Sequence, residues 1–139
     1  MIEIKYKAWY KPLGVMIEPE NLVKIELETK VLGVYMEMDN RGYHELRMYD
    51  FEMMQYTGLK DKNGREIYEG DVFPPGERTR GEVTIVCYDS KQLRYKAVPL
   101  SLYKANAGNG GWTGFDLNPF SEVIGNIYEN PELIGGDPQ

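Results

Sequence analysis

The stretch YTGLKDKNGREIYEGD, running from Tyr56 to Asp71, gathers Asp61, Asn63, Glu66, Glu69 and Asp71 around Gly58, Gly64 and Gly70. Oxygen ligands so close in sequence suit a hard cation, and glycine-rich backbone suits a phosphate. Neither pattern is complete. An EF-hand loop needs Asp-x-Asp/Asn-x-Asp/Asn-Gly, a distal Glu and a helix on each side. Asp61 and Asn63 fit that order, but the cation Arg65 occupies the next ligand position and Gly64 comes too early. A Walker loop ends in Gly-Lys-Ser/Thr, which the run from Gly58 to Gly64 lacks. Turn chemistry accounts for the same residues without a ligand. Asp61 can accept from backbone donors further along, and Asn63-Gly64 offers positive φ. Leu59 and Ile67 are then expected as core anchors on the flanking strands, and Gly70-Asp71 as a second tight turn or bulge before Val72-Phe73.

Other chemistry is thinly supplied. His44 and Cys87 are the only residues of their types. A nucleophile–base pair would have to use both, and Cys87 lies within an apolar run that reads as a strand interior. Structural zinc takes four ligands, chiefly Cys and His, which this chain lacks. Glu66, Glu69 and Asp71 would make an acid–base set only if burial shifted them, and Glu66 and Glu69 flank Ile67-Tyr68 on opposite faces of a strand. No catalytic, cofactor-binding or metal-binding residue is assigned. Trp112 and Phe115, amid the glycines of AGNGGWTGF, are candidate interaction residues, although they can equally fold back onto the core. Stacking on single-stranded nucleic acid would need cations nearby, and only Lys104 is close in sequence.

The elements that must carry these residues are strands. IEIKYKAWY alternates, KPLG turns and VMI returns. Val23, Ile25 and Leu27 alternate with charges, VLGVYMEM follows, DNRG at 39–42 turns, and residues 43–49 alternate again. GEVTIVCYD is apolar on both faces, and LRYKAVPL is its hairpin partner. Residues 72–81 and 104–114 read as loops. Val123-Ile124 and Ile127-Tyr128 read as one strand interrupted by Gly125, ended by Asn130-Pro131 with one helical turn at most. Turn signals recur with scarcely a helical pattern between them, which predicts a mainly β fold: a compact antiparallel barrel or sandwich with little helix.

Composition sets the outer limits. The 139 residues fit a single β-rich domain, with N-terminal strands at 1–55, the motif and barrel portion at 56–134, and a frayed tail at 135–139. The net charge of −6 is spread without a basic block, so nucleic acid and anionic membranes are not the expected partners. A single cysteine suits a reducing compartment, and no apolar run suggests a signal peptide or a membrane span. The expected location is the cytoplasm.

The segments MQYTGLKDKNGREIYEGDVF and VIGNIYENPEL, with the opening IKYKAWY, resemble the YopX family of phage and prophage proteins. Residues 14–50 and 74–115 depart from that pattern. The resemblance implies a β-rich chain of phage genomes, with an SH3-like portion after the Glu69-Gly70-Asp71 turn and no catalytic residue set. It implies that Tyr56, Gly58, Gly64, Tyr68, Gly70 and Asp71 form a shared structural framework. The reading reached is a non-enzymatic accessory protein of the host-cell cytoplasm. It would act by contact with a phage or host protein and self-associate, because strands such as 83–88 carry apolar residues on both faces. A nucleic-acid-binding small barrel is the alternative.

Overall fold

The computed structural model describes residues 3–106, 111–118 and 120–135. The chain is mainly β, with curled antiparallel sheets and one α-helix among the described residues. It divides into two compact units, Met1–Gln55 and Tyr56–Gln139.

In the first unit, β1 (Tyr6–Tyr10) pairs with β2 (Val15–Ile17) and with the first half of β6 (Phe51–Lys60). A second sheet has β4 (Val31–Met38) between β3 (Leu22–Glu26) and β5 (Arg41–Arg47). Alternation sends Ala8, Tyr10, Ile17, Leu32, Val34 and Phe51 into one core. The hairpin at 39–42 is tighter than expected. Asp39 and Asn40 alone turn the chain, at φ 54° and 60°, and Arg41 and Gly42 already belong to β5. Asp and Asn tolerate this left-handed conformation better than most residues.

In the second unit, β9 (Thr84–Asp89) is flanked by β10 (Arg94–Pro99) and β8 (Asp71–Phe73), and β8 pairs on its other side with β11 (Gly125–Asn126). The second half of β6 pairs with β7 (Glu66–Tyr68). The two faces of β9 serve two cores. Ile85 and Cys87 join Val72 and Val98, while Val86 joins Ile67, Phe73 and Val123. The two-faced strand is therefore covered inside its own unit and does not supply the drive to self-associate that its pattern suggested.

Three further expectations are corrected. Part of 104–114 belongs to α1 (Leu100–Asn106), whose start is held by the Glu82 carboxylate accepting from Ser101 N and Oγ at 2.8 and 3.0 Å. This cap comes from a residue 19 positions away and was invisible in the local sequence. Residues 107–110 lie outside the described residues, as does the tail beyond Gly135. The C-terminal strand is only Gly125–Asn126, because Asn126 Oδ1 accepts from Tyr128 N and Glu129 N at 3.0 and 2.8 Å and turns the chain at once. Leu59 is 49% exposed, whereas Ile67 is fully buried. The ladder between β6 and β7 is irregular between Tyr56 and Lys60, where Gly58 stands at φ 87°, so the strict alternation that would bury Leu59 is broken.

Candidate interaction site

The motif residues fold into a clip. Asp61 Oδ1 accepts from Asn63 N at 2.9 Å and Arg65 N at 3.0 Å, and Oδ2 accepts from Val123 N at 3.0 Å. Burial pushes this carboxyl up, but the N–H groups of Val123, Arg65 and Asn63 outweigh it and hold it below its ordinary value of 3.8. Gly64, at φ 81°, supplies the left-handed residue of the turn; Asn63 does not share that conformation as expected. Tyr56 and Tyr68 face each other across β6 and β7 with ring centroids 5.5 Å apart. Gly70, at φ 89°, donates its N–H to Val86 O at 2.8 Å and accepts from Ile127 N at 3.0 Å. Asp71 Oδ2 accepts from Tyr68 N at 2.8 Å. The two aspartates thus spend oxygens on backbone N–H groups. Among the described residues no three His, Cys, Asp or Glu side chains gather as a metal site would require.

The two lone chemical candidates are in packed surroundings. His44, buried in the first unit, donates Nε2–H to Arg41 O at 2.9 Å. Cys87 is buried in the second, and burial, with a smaller push from Glu69, raises its thiol to about 12. A thiol held there is almost entirely protonated at neutral pH.

A concave surface of the second unit lies elsewhere. A cleft of about 400 Å³ has an apolar floor from Phe73, Pro74, Pro75, Ala97 and Phe115. That volume is within the ~300–1,000 Å³ common for binding pockets. Phe115 is fixed by a bridge to β10. Ala97 N donates to Phe115 O and Phe115 N donates to Ala97 O, both at 2.8 Å. Arg78 lies over the Phe115 ring at 4.9 Å. Its loop is braced by Thr79 Oγ1, which accepts from Gly76 N at 3.0 Å and donates to Glu82 O at 2.7 Å. Among the described residues Arg78 has no carboxylate within salt-bridge distance, although Arg94 pairs with Asp116 at the rim at 2.6 Å. Glu77, Asn118 and Ser121 also line the cleft.

Trp112 and Phe115, three residues apart in sequence, part company. Phe115 walls the cleft, whereas Trp112 stacks on Tyr103 with centroids 5.5 Å apart and planes 11° from parallel. Burial pushes the Tyr103 hydroxyl up. Besides Lys104, which is close in sequence, a cation reaches this segment from afar. Lys96 Nζ donates to Trp112 O at 2.9 Å and to Asp89 Oδ2 at 2.7 Å, and both charged groups are buried. That hydrogen bond holds the Asp89 carboxyl below its ordinary value. Sequence reasoning missed Arg78, Asn118, Ser121 and the Asp89–Lys96 pair. The signal for Arg78 was VFPPGER, where an aromatic, two prolines and a cation follow a buried strand; it was read only as a loop.

Fold and site together define a mainly β protein whose chemistry-bearing residues brace turns and whose second unit carries a cleft with an apolar floor and a rim of mixed charge. The chain belongs to the YopX family, matching the family model described as YopX protein over residues 5–135. It is similar in fold to protein EF1440 from Enterococcus faecalis, a crystal structure. The identity is 24%, the TM-score is 0.56, and the match covers 96% of this chain and 99% of that one. No curated protein matches the chain.

Proposed function

We propose that this chain is a non-catalytic accessory protein of phage type. It works in the cytoplasm through protein–protein contact and associates with itself. The observation that carries this reading is the cleft of the second unit, with its apolar floor, the stacked Phe115–Arg78 wall and a rim of hydrogen-bonding groups. Such a surface suits a polypeptide segment, whose side chains take the floor and whose polar groups meet the rim. The SH3-like frame implied by the resemblance belongs to the same proposal. A cytoplasmic setting fits the single, buried thiol, and no helix among the described residues is long and apolar enough to cross a membrane.

Nucleic acid is the second reading, favoured by Tyr35 and Tyr43. These two rings, 5.4 Å apart, are 51% and 39% exposed on the β3–β4–β5 sheet. Bases stack on such rings. The charge around them opposes it, because Lys24 is bound by Glu45 at 3.0 Å and Glu26 at 3.1 Å. Hydrogen bonds to Glu45 and then Glu26 raise the Lys24 ammonium above its ordinary value.

Light scattering on a concentration series tests the leading reading, with a concentration-dependent rise in mass expected. Titration with single-stranded DNA and RNA at low and moderate salt ranks the two. Absent binding removes the second reading, whereas tight binding weakened steeply by salt would replace the first with it.

A further inference from the structure

The strand β3 ends its sheet. β4 pairs with it on one side, and among the described residues no strand pairs with it on the other. Its two faces end differently at that open edge. On the core side a row crosses the sheet from Leu46 through Leu32 to Ile25. Leu32 is fully buried, but Ile25 is 39% exposed, and Val23 on the same strand is 50% exposed. The apolar row therefore stops without a cover. On the opposite face Lys24 and Glu26 stand side by side, 3.1 Å apart, with Glu45 in the row of Lys24 and Arg47 in the row of Glu26. Edge strands commonly carry a bulge and a lysine that discourage pairing. β3 has both, the bulge between Leu22 and Lys24 and the Lys24 ammonium itself. An unrelated strand would leave that charge unmatched, whereas a second β3 brings Glu26 to it.

We infer that two copies of this chain pair antiparallel through their β3 edges about a two-fold axis beside Ile25, making one continuous sheet with three strands from each copy. In this register Ile25 faces Ile25, and Lys24 of each copy faces Glu26 of the other. The four charges then alternate in sign both along and across the strands, with like charges only on the diagonals. Moving the axis by one residue sets Lys24 against Lys24 or Glu26 against Glu26, so charge selects the register as well as the occupant. Glu28 lies beyond the last pair, in the turn at 27–30. On the other face the row of Leu46, Leu32 and Ile25 continues into the same three residues of the second copy, and its open end is covered. Each copy makes the contact the other makes, as a closed pair requires. The inference rests on the self-association proposed above and adds its geometry.

Light scattering on the wild type, K24E, E26K and an equal mixture of the two variants tests it. The contact is one short strand per copy, so the wild-type dimer should dissociate on dilution. K24E makes both edge charges acidic and E26K makes both basic, so each variant alone should raise the dissociation constant at least ~10-fold. Mixed, the two should associate to within a few-fold of the wild type, because each edge then meets its opposite. Both side chains are solvent-exposed, so circular dichroism should be unchanged for each variant alone. I25C should cross-link to a dimer under diamide, since the Cβ atoms of directly opposed residues lie about 4.5–5.5 Å apart. V23C should cross-link far more slowly, and the buried Cys87 should not contribute. A wild-type dimer whose folded K24E and E26K variants stay apart when mixed, or whose V23C links as fast as I25C, overturns the β3 register and leaves self-association standing. A wild type that stays monomeric at millimolar concentration overturns both.

Discussion

Asp61 shows how much one side chain can hold. Its carboxylate closes the 61–65 turn and also reaches Val123, a residue distant in sequence. Replacing it by Ala leaves three backbone donors to find new partners, so D61A should lose about 2–4 kcal/mol in urea unfolding. The sign with pH follows from the direction of the shift. Asp61 titrates lower folded than unfolded, so its contribution is complete above the ordinary carboxylate range. It fades as pH falls through 3.8 and below. Asp89 behaves the same way through Lys96. Wild-type stability should therefore fall across that acid window, and D61N should show a shallower fall there. A D61N profile parallel to the wild type would sink this assignment. The local half of this role was legible, since Asp two residues before Asn at a Gly turn announces its backbone bonds. The bond to Val123 was not, because nothing in local spacing marks a remote donor.

Among the elements, the β9–β10 hairpin and the 112–115 segment form a connected set. Gly114 lies against β10 so closely that a Cβ there would meet Ala97 O at 2.7 Å. G114A should push Phe115 off β10 and loosen the cleft wall. Hydrogen exchange at the Ala97 and Phe115 amides should then quicken by about 10-fold or more, with β9 little changed. Lys96 ties the same segment through Trp112 O and Asp89. K96M strands the Asp89 charge in a buried site. It should lower the melting temperature by about 10 °C, and in a W9F background it should red-shift Trp112 fluorescence. Strand identity was plain from alternation and β-branched runs, as in β2 and β9. What the alternation of β9 could not tell was who covers each face. Ile85 and Val86 read alike whether a second copy or the chain's own β8 side chains and Val123 lie opposite. α1 stayed hidden for a related reason, its start resting on Glu82 rather than on a local cap.

For the molecule as a whole, the spread of charge visible in the sequence persists in space. Lys24, Arg47, Arg94 and Lys96 each lie within 4 Å of a carboxylate, and Arg78 shares its cleft with Glu77 and Asp116. The class of fold and the family could be read from residues alone, but the cleft could not. It brings together residues near 75, 97, 115 and 120 that only the folded chain places side by side. The second unit also closes late along the chain. Asp61 waits for Val123, β8 for β11, and Gly70 for Ile127. On a translating ribosome these early residues must remain unsealed until the final stretch has cleared the exit tunnel. A nascent chain stalled before Val123 should consequently be an open substrate for proteases and chaperones, and one released a few residues after Ile127 should become resistant.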